Sequence, residues 1–388
     1  MNQNIPIHTQ TATGDGPNAN PADLFLQEDI PARYYRMPLE ELRQRGAEAK
    51  KRLGDDLLIL CHHYQQDDTF WFSDISGDSL YLARQAAKTK AKYIVFCGVH
   101  FMVESADIIT SDGQAAILPN LTAGCSMADM ADIDSIEDCW DYLSDLVGSE
   151  KLLPITYINS TASLKAFCGK HGGTVCTSAN AQKILTWAFK QNKKVLFFPD
   201  QHLGRNSAKA LGVPADQISM WERAKEDGGL KNETIEKASI ILWDGYCSVH
   251  CRFTPQHISD ARARRPDTKV IVHPECPEEI VAMSDYSGST SQIIQKISES
   301  KPGSSWAVGT EINLVNRLAK EHFKKDGKLI DILNPNVCVC STMYRIHPAN
   351  VLWVLDQLLD GNIPNQITVP PETKKLAKVA IDRMFELS

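Results

Sequence analysis

One local pattern recurs along the whole chain. A short apolar run is followed by a polar turn of Gly, Ser, Asn, Asp or His, and then by a stretch with helical periodicity. Such runs occupy 56–61, 93–97, 114–118, 153–158, 173–176, 194–198, 240–243, 269–273 and 305–308. Parallel strands need a crossover, usually a helix, to reach their neighbours. This order therefore predicts an α/β protein of parallel sheets with right-handed connections. In open α/β sheets ligands bind beyond the carboxyl ends of the strands, so the polar turns are where chemistry is expected.

The pattern divides the chain into three similar units. A tail is expected over 1–36, α/β units over 37–133, 134–262 and 263–345, and helices over 346–388 that pack on the first unit. Each unit closes on a cysteine: Cys125, Cys247 and Cys340. Their surroundings, such as Ala123-Gly-Cys-Ser126 and Gly245-Tyr-Cys-Ser248, are glycine-rich and polar rather than core-like. A threefold pseudo-repeat brings such strand ends to one centre. The three cysteines are therefore expected to converge on one metal cluster. The chain lacks the close Cys-x-x-Cys pairs of structural zinc, and thiolates select soft metals or iron–sulfur clusters. A 4Fe–4S cluster normally takes four cysteines. With three, one iron stays open to act as a Lewis acid. Cys251 and Cys338 stand close by and could be fourth ligands.

Composition excludes some partners. The formal charge is −7, which provides no basic stripe for nucleic acid or an anionic membrane. No apolar run reaches the ~18 residues of a membrane span. Residues 1–30 lack the apolar core of a signal peptide. The expected compartment is cytoplasmic, where thiols stay reduced, and eleven cysteines then point to metal binding or catalysis.

Around the cysteines stands a polar set. His62, His250 and His273 sit at strand ends beside Tyr64, Tyr157 and Glu275, residue types suited to proton transfer. Ser79, Ser178, Ser289 and Thr290 precede predicted helices. They can cap those helices or, with the N-terminal amides, take phosphate or carboxylate. Asn159 could add an amide to the same ligand. An aconitase-type hydro-lyase would share the open cluster, and a redox or iron sensor would share the cysteines.

Over about residues 40–360 the chain resembles the quinolinate synthases. The motifs that carry the likeness are His62-His-Tyr-Gln65, Gly77-Asp-Ser-Leu80, Phe96-Cys-Gly-Val-His-Phe-Met102, Ala123-Gly-Cys-Ser126, Asn159-Ser-Thr-Ala162, Cys176-Thr-Ser-Ala-Asn180, Gly245-Tyr-Cys-Ser-Val-His250, His273-Pro-Glu-Cys276, Ser287-Gly-Ser-Thr290 and Gly309-Thr-Glu311. The resemblance implies a three-unit α/β fold around a 4Fe–4S cluster on Cys125, Cys247 and Cys340. It implies condensation of iminosuccinate with dihydroxyacetone phosphate to quinolinate, phosphate and water in de novo NAD biosynthesis. L-aspartate oxidase or dehydrogenase would supply the iminosuccinate. Substrate contacts would fall to His62, Tyr64, Ser79, Tyr157, Asn159, Ser178, His273, Glu275, Ser289 and Thr290. Proton transfer would fall to Tyr64, Tyr157, His273 and Glu275. The chain departs from the family's pattern at His63, where many members carry a second tyrosine, and at Cys338, two residues before Cys340.

Overall fold

The protein is described from a computed structural model covering residues 30–334 and 339–388. Most of the expected tail, and Cys338, lie outside the described residues. Fourteen strands are described: β1 (Leu57–His62), β2 (Ile75–Gly77), β3 (Tyr93–Cys97), β4 (Ala115–Ile117), β5 (Leu152–Tyr157), β6 (Thr174–Cys176), β7 (Lys194–Phe198), β8 (Ile218–Trp221), β9 (Ile240–Trp243), β10 (Lys269–Val272), β11 (Tyr286–Ser287), β12 (Ser305–Gly309), β13 (Leu329–Ile332) and β14 (Gln366–Ile367). They form three sheets, ordered β14-β4-β3-β1-β2, β6-β5-β7-β9-β8 and β11-β10-β12-β13. Numbered within its own unit, the first sheet reads 2-1-3-4, and so does the third. The second follows the same plan, with β9 in the fourth place and β8 added outside it. All strand pairs are parallel except β14 with β4.

The strands form because their residues suit burial on both faces. Every residue of β3, β5 and β9 is buried, as expected of parallel strands covered by helices. The short edge strands β2, β8, β11, β13 and β14 were not foreseen. β2 and β11 are two or three residues long and polar, and such runs carry too little periodicity to be read.

Two expectations about the chain ends need correction. Residues 30–36 are not all tail. Ile30 and Tyr34 are buried, and the Tyr34 hydroxyl donates to Asp356 at 2.8 Å. Nor do both C-terminal helices lie on the first unit. Helix Pro348–Leu359 packs there, on helix Leu39–Leu53, whereas helix Pro371–Leu387 lies mainly on helix Ala162–Lys170 and β6 of the second unit. The cause is a close approach at Gly169, where an added Cβ would stand 2.0 Å from the Leu376 carbonyl oxygen. Among the described residues, no helix is long and apolar enough to cross a membrane.

The repeated topology fixes the site. The first strands of the three sheets, β1, β5 and β10, lead into His62-His-Tyr64, Tyr157-Ile-Asn159 and His273-Pro-Glu275. The loops after β4, β9 and β13 carry Cys125, Cys247 and Cys340.

Candidate active site where three units meet

The carboxyl ends of the sheets line one shared cavity. Cys125, Cys247 and Cys340 all line it, half-buried and free. Their local structure is the same three times over. Each cysteine precedes a one-turn helix, Ala128–Met130, His250–Arg252 or Met343–Arg345. Each cysteine's carbonyl accepts the N–H four residues on: Asp129, Cys251 and Tyr344, at 3.1, 3.1 and 3.0 Å. Each sulfur accepts the N–H three residues on, from Ala128, His250 or Met343. Burial pushes the Cys125 thiol up to about 12 and raises Cys247 and Cys340 as well, while these N–H groups pull the other way. Three sulfurs, each met by backbone donors that favour a thiolate, form a donor set that fits a soft metal or an iron–sulfur cluster. In addition, Cys247, a His250 ring nitrogen and a Glu275 carboxylate oxygen lie within 4.8 Å of one another. Cys251 is not among the described lining residues, and its N–H closes the Cys247 turn.

His62 and His273 line the cavity and share one geometry. The Nδ1 of each accepts the backbone N–H two residues on, Tyr64 at 3.1 Å and Glu275 at 3.3 Å. This fixes the neutral tautomer with the proton on Nε2. Burial is the main force holding both rings down, to about 3. His63 instead stacks on Phe70 at 6.3 Å between centroids, so this departure from the family pattern does not reach the cavity.

Glu275 is almost wholly buried, at 3 % exposed. Its Oε1 accepts the Tyr157 hydroxyl at 2.5 Å, and its Oε2 meets His250 Nδ1 at 2.8 Å. Burial alone would raise this carboxyl. His273 and His250 beside it, with the hydrogen bonds from His250 and Tyr157, overcome that and hold it well below the usual range. With Nδ1 facing Glu275, the His250 Nε2 meets Thr310 Oγ1, 3.2 Å away. Thr310 in turn meets the Tyr64 hydroxyl at 2.8 Å, and Tyr64 accepts from Thr290 at 3.1 Å. One hydrogen-bonded line thus runs Thr290–Tyr64–Thr310–His250–Glu275–Tyr157. Burial, then the Glu275 charge, raises both phenols well above their ordinary value, so both remain proton donors.

Ser79, Ser178, Asn159 and Thr290 also line the cavity. The Asn159 Oδ1 is buried with no protein partner. Ser79 is not a cap: Asp78 caps its helix, accepting from Tyr81 N–H at 3.0 Å, which leaves the serine hydroxyl for the cavity. Ser289 is the exception among the expected residues. It is fully buried, caps helix Thr290–Ser298 in a capping box with Gln292, and does not line the cavity. Thr310, Asp78, Thr177 and Thr342 line or brace the site without having been singled out. Thr310 follows β12 directly, and that strand-end position was the available signal.

Residues 45–386 match the family described as NadA, quinolinate synthetase A protein. A quinolinate synthase of Corynebacterium glutamicum is 51 % identical over 379 residues, covering 96 % of this chain and 95 % of its own. One from Herpetosiphon aurantiacus is 51 % identical over 358 residues, covering 92 % and 95 %. One from Geobacillus thermodenitrificans is 50 % identical over 371 residues, covering 95 % and 100 %.

Proposed function

Because the chain belongs to the quinolinate synthase family of enzymes, we propose that its cavity condenses iminosuccinate with dihydroxyacetone phosphate, giving quinolinate, phosphate and two waters. Quinolinate synthesis places the enzyme in NAD biosynthesis. Cys125, Cys247 and Cys340 would hold a 4Fe–4S cluster there, and when bound it would supply an open iron as a Lewis acid for a substrate oxygen. The observation that carries this reading is the trio of matching cysteine turns on the wall that also holds Glu275.

The protein's own groups do the rest. Both substrates are anionic, and the overall charge is negative, so binding requires local donors. These are the N-termini of helices Ser79–Lys88 and Thr290–Ser298 and the Thr177-Ser178 turn, each with a hydroxyl beside the backbone amides. Neutral His62 and His273 offer Nε2–H, which orients carboxylate or phosphate oxygens. Asn159 adds its amide. Ionised Glu275 takes a proton from substrate carbon or nitrogen, with Tyr157 as the paired acid. Tyr64 delivers a second proton to a departing oxygen and is reprotonated from Glu275 through His250 and Thr310, the hydrogen bonds of that line reversing as the proton passes. The buried apolar parts of Val99, Phe101 and Met127 line the same cavity and keep bulk water from the reactive imine.

The reaction balances without an oxidant, so the enzyme needs no redox partner in turnover. An L-aspartate oxidase or dehydrogenase in the cytoplasm would provide the iminosuccinate. Anaerobic, cluster-loaded protein given both precursors should form quinolinate. A fully loaded sample that forms none would overturn the assignment and leave an aconitase-type hydro-lyase as the better account.

A further inference from the structure

The threefold plan extends to a set of contacts behind the cavity. In each unit a helix follows the third strand: His100–Ile109 after β3, Gln201–Ala210 after β7 and Ile312–Asp326 after β12. One side chain from the second turn of each helix leaves its own unit and grips the turn after the first strand of another. Glu104 of the first unit accepts the Ala162 N–H at 3.0 Å, just past Tyr157-Ile-Asn159. Asn206 of the second donates its Nδ2 to the carbonyls of Pro274 and Cys276, both at 2.9 Å, on either side of Glu275. Arg317 of the third donates to the carbonyls of His63 and Gln65, the latter at 3.3 Å, on either side of Tyr64.

The equivalence is one of position. Counted from the residue that caps each helix, Asn206 and Arg317 are both sixth, after Asp200 and Glu311, and Glu104 is fifth after Val99. The direction is also constant: first unit to second, second to third, third to first. The three contacts therefore close a ring. Each is shielded, since Asn206 is 9 % exposed and the side chains of Glu104 and Arg317 are 15 % and 19 % exposed. Two are reinforced nearby. Arg317 also bonds Asp67 at 2.7 Å and stacks over Phe70 at 3.9 Å. Buried Lys165 donates to the Ser160 carbonyl, and Ser160 in turn donates to the Tyr157 carbonyl at 2.7 Å.

We propose that Glu104, Asn206 and Arg317 are equivalent positioning residues, each of which holds the substrate-binding turn of the next unit in register with the other two. None of them lines the cavity. Their work is to fix the backbone from which Tyr157 and Asn159, Glu275 and His273, and Tyr64 and His62 project. The catalytic part of this statement rests on the reading of the cavity as a quinolinate synthase site; the structural part does not.

Asn206→Asp makes the cleanest test, because it keeps the side-chain shape and removes both donors. Hydrogen–deuterium exchange on the cluster-loaded protein should show faster exchange in 273–276 and unchanged exchange in 157–162, which belongs to the variant's own unit. Arg317→Met should act likewise on 62–67 and spare 273–276. Iron and sulfide content should stay at the parent level. Quinolinate formation should fall about a hundredfold in kcat/KM, the scale of an ångström of misplacement, mostly in kcat for Asn206→Asp, since it holds Glu275. Glu104→Gln, which keeps an acceptor oxygen, should restore what Glu104→Ala loses. Exchange that rises in the variant's own unit, or that rises in no turn, overturns the ring. If exchange shifts as stated while the parent makes no quinolinate, the ring stands and the functional reading fails. Two variants on different units guard against one failing to fold.

Discussion

Tyr157→Phe removes a single oxygen, and the structure sets the size of the effect. That oxygen donates at 2.5 Å to an ionised carboxylate buried at 3 % exposure. A hydrogen bond to a charged group contributes about 1.5–3 kcal/mol. Phe leaves Glu275 Oε1 without its donor in a place water reaches poorly, while Oε2 keeps His250. If the pair acts as acid and base, the loss falls on the transition state, and kcat/KM should drop roughly 10- to 150-fold. The Glu275 carboxyl should also rise toward the ordinary range, because one of the bonds that lowers it is gone. The acid limb of the pH–rate profile should therefore move to higher pH. The assay is steady-state quinolinate formation under anaerobic conditions, with iron content matched between parent and variant. A double-mutant cycle with Glu275→Gln should give a coupling of at least ~1 kcal/mol. A variant within twofold of the parent, or a cycle that is simply additive, would refute the acid–base pairing.

Other outcomes follow from the same geometry. Cys338→Ala should leave iron and sulfide content nearly at the parent level, whereas Cys340→Ala should abolish it; an exchange of these results would exchange the two cysteines' roles. The metal-free protein should lose stability as pH falls. His62 and His273 protonate near 6.5 when unfolded but only near 3 when folded, so below 6.5 the unfolded chain binds more protons. At ~1.4 kcal/mol per pKa unit the loss should reach several kcal/mol by pH 4, measured by urea unfolding, and should be shallower in a His62→Gln/His273→Gln variant. Gly169→Ala should destabilise by at least ~1–3 kcal/mol, because its Cβ meets the Leu376 carbonyl; a thermal midpoint equal to the parent's would contradict the close helix approach.

Much of the architecture was legible because it is written in local pattern. Tyr93–Cys97 and Ile240–Trp243 read as buried strands since each is apolar throughout, and Cys125, Cys247 and Cys340 drew notice because glycine and polar neighbours disfavour a core role. What stayed hidden depends on distance in the chain. Thr310 gains its place only by meeting Tyr64, 246 residues away, and His250, 60 residues away. Asn206 looks like any polar helix residue until Pro274 and Cys276 arrive beside it. Ser289 and Ser79 look alike in sequence, yet one is a buried cap and the other faces the cavity. The difference is that Asp78, a strong capping residue, stands before Ser79, while Gly288 stands before Ser289. The final helix was expected on the first unit, and nothing in its own sequence names Gly169 as its seat.

Sulfurs from three separate units are proposed to hold one iron–sulfur cluster. Iron and acid-labile sulfide bound per chain after anaerobic reconstitution test it most directly, in the parent and in Cys125→Ala, Cys247→Ala and Cys340→Ala. The parent should take up a full 4Fe–4S load and each of the three variants none. A parent that takes up no sulfide, or a variant that keeps its full load, would contradict it.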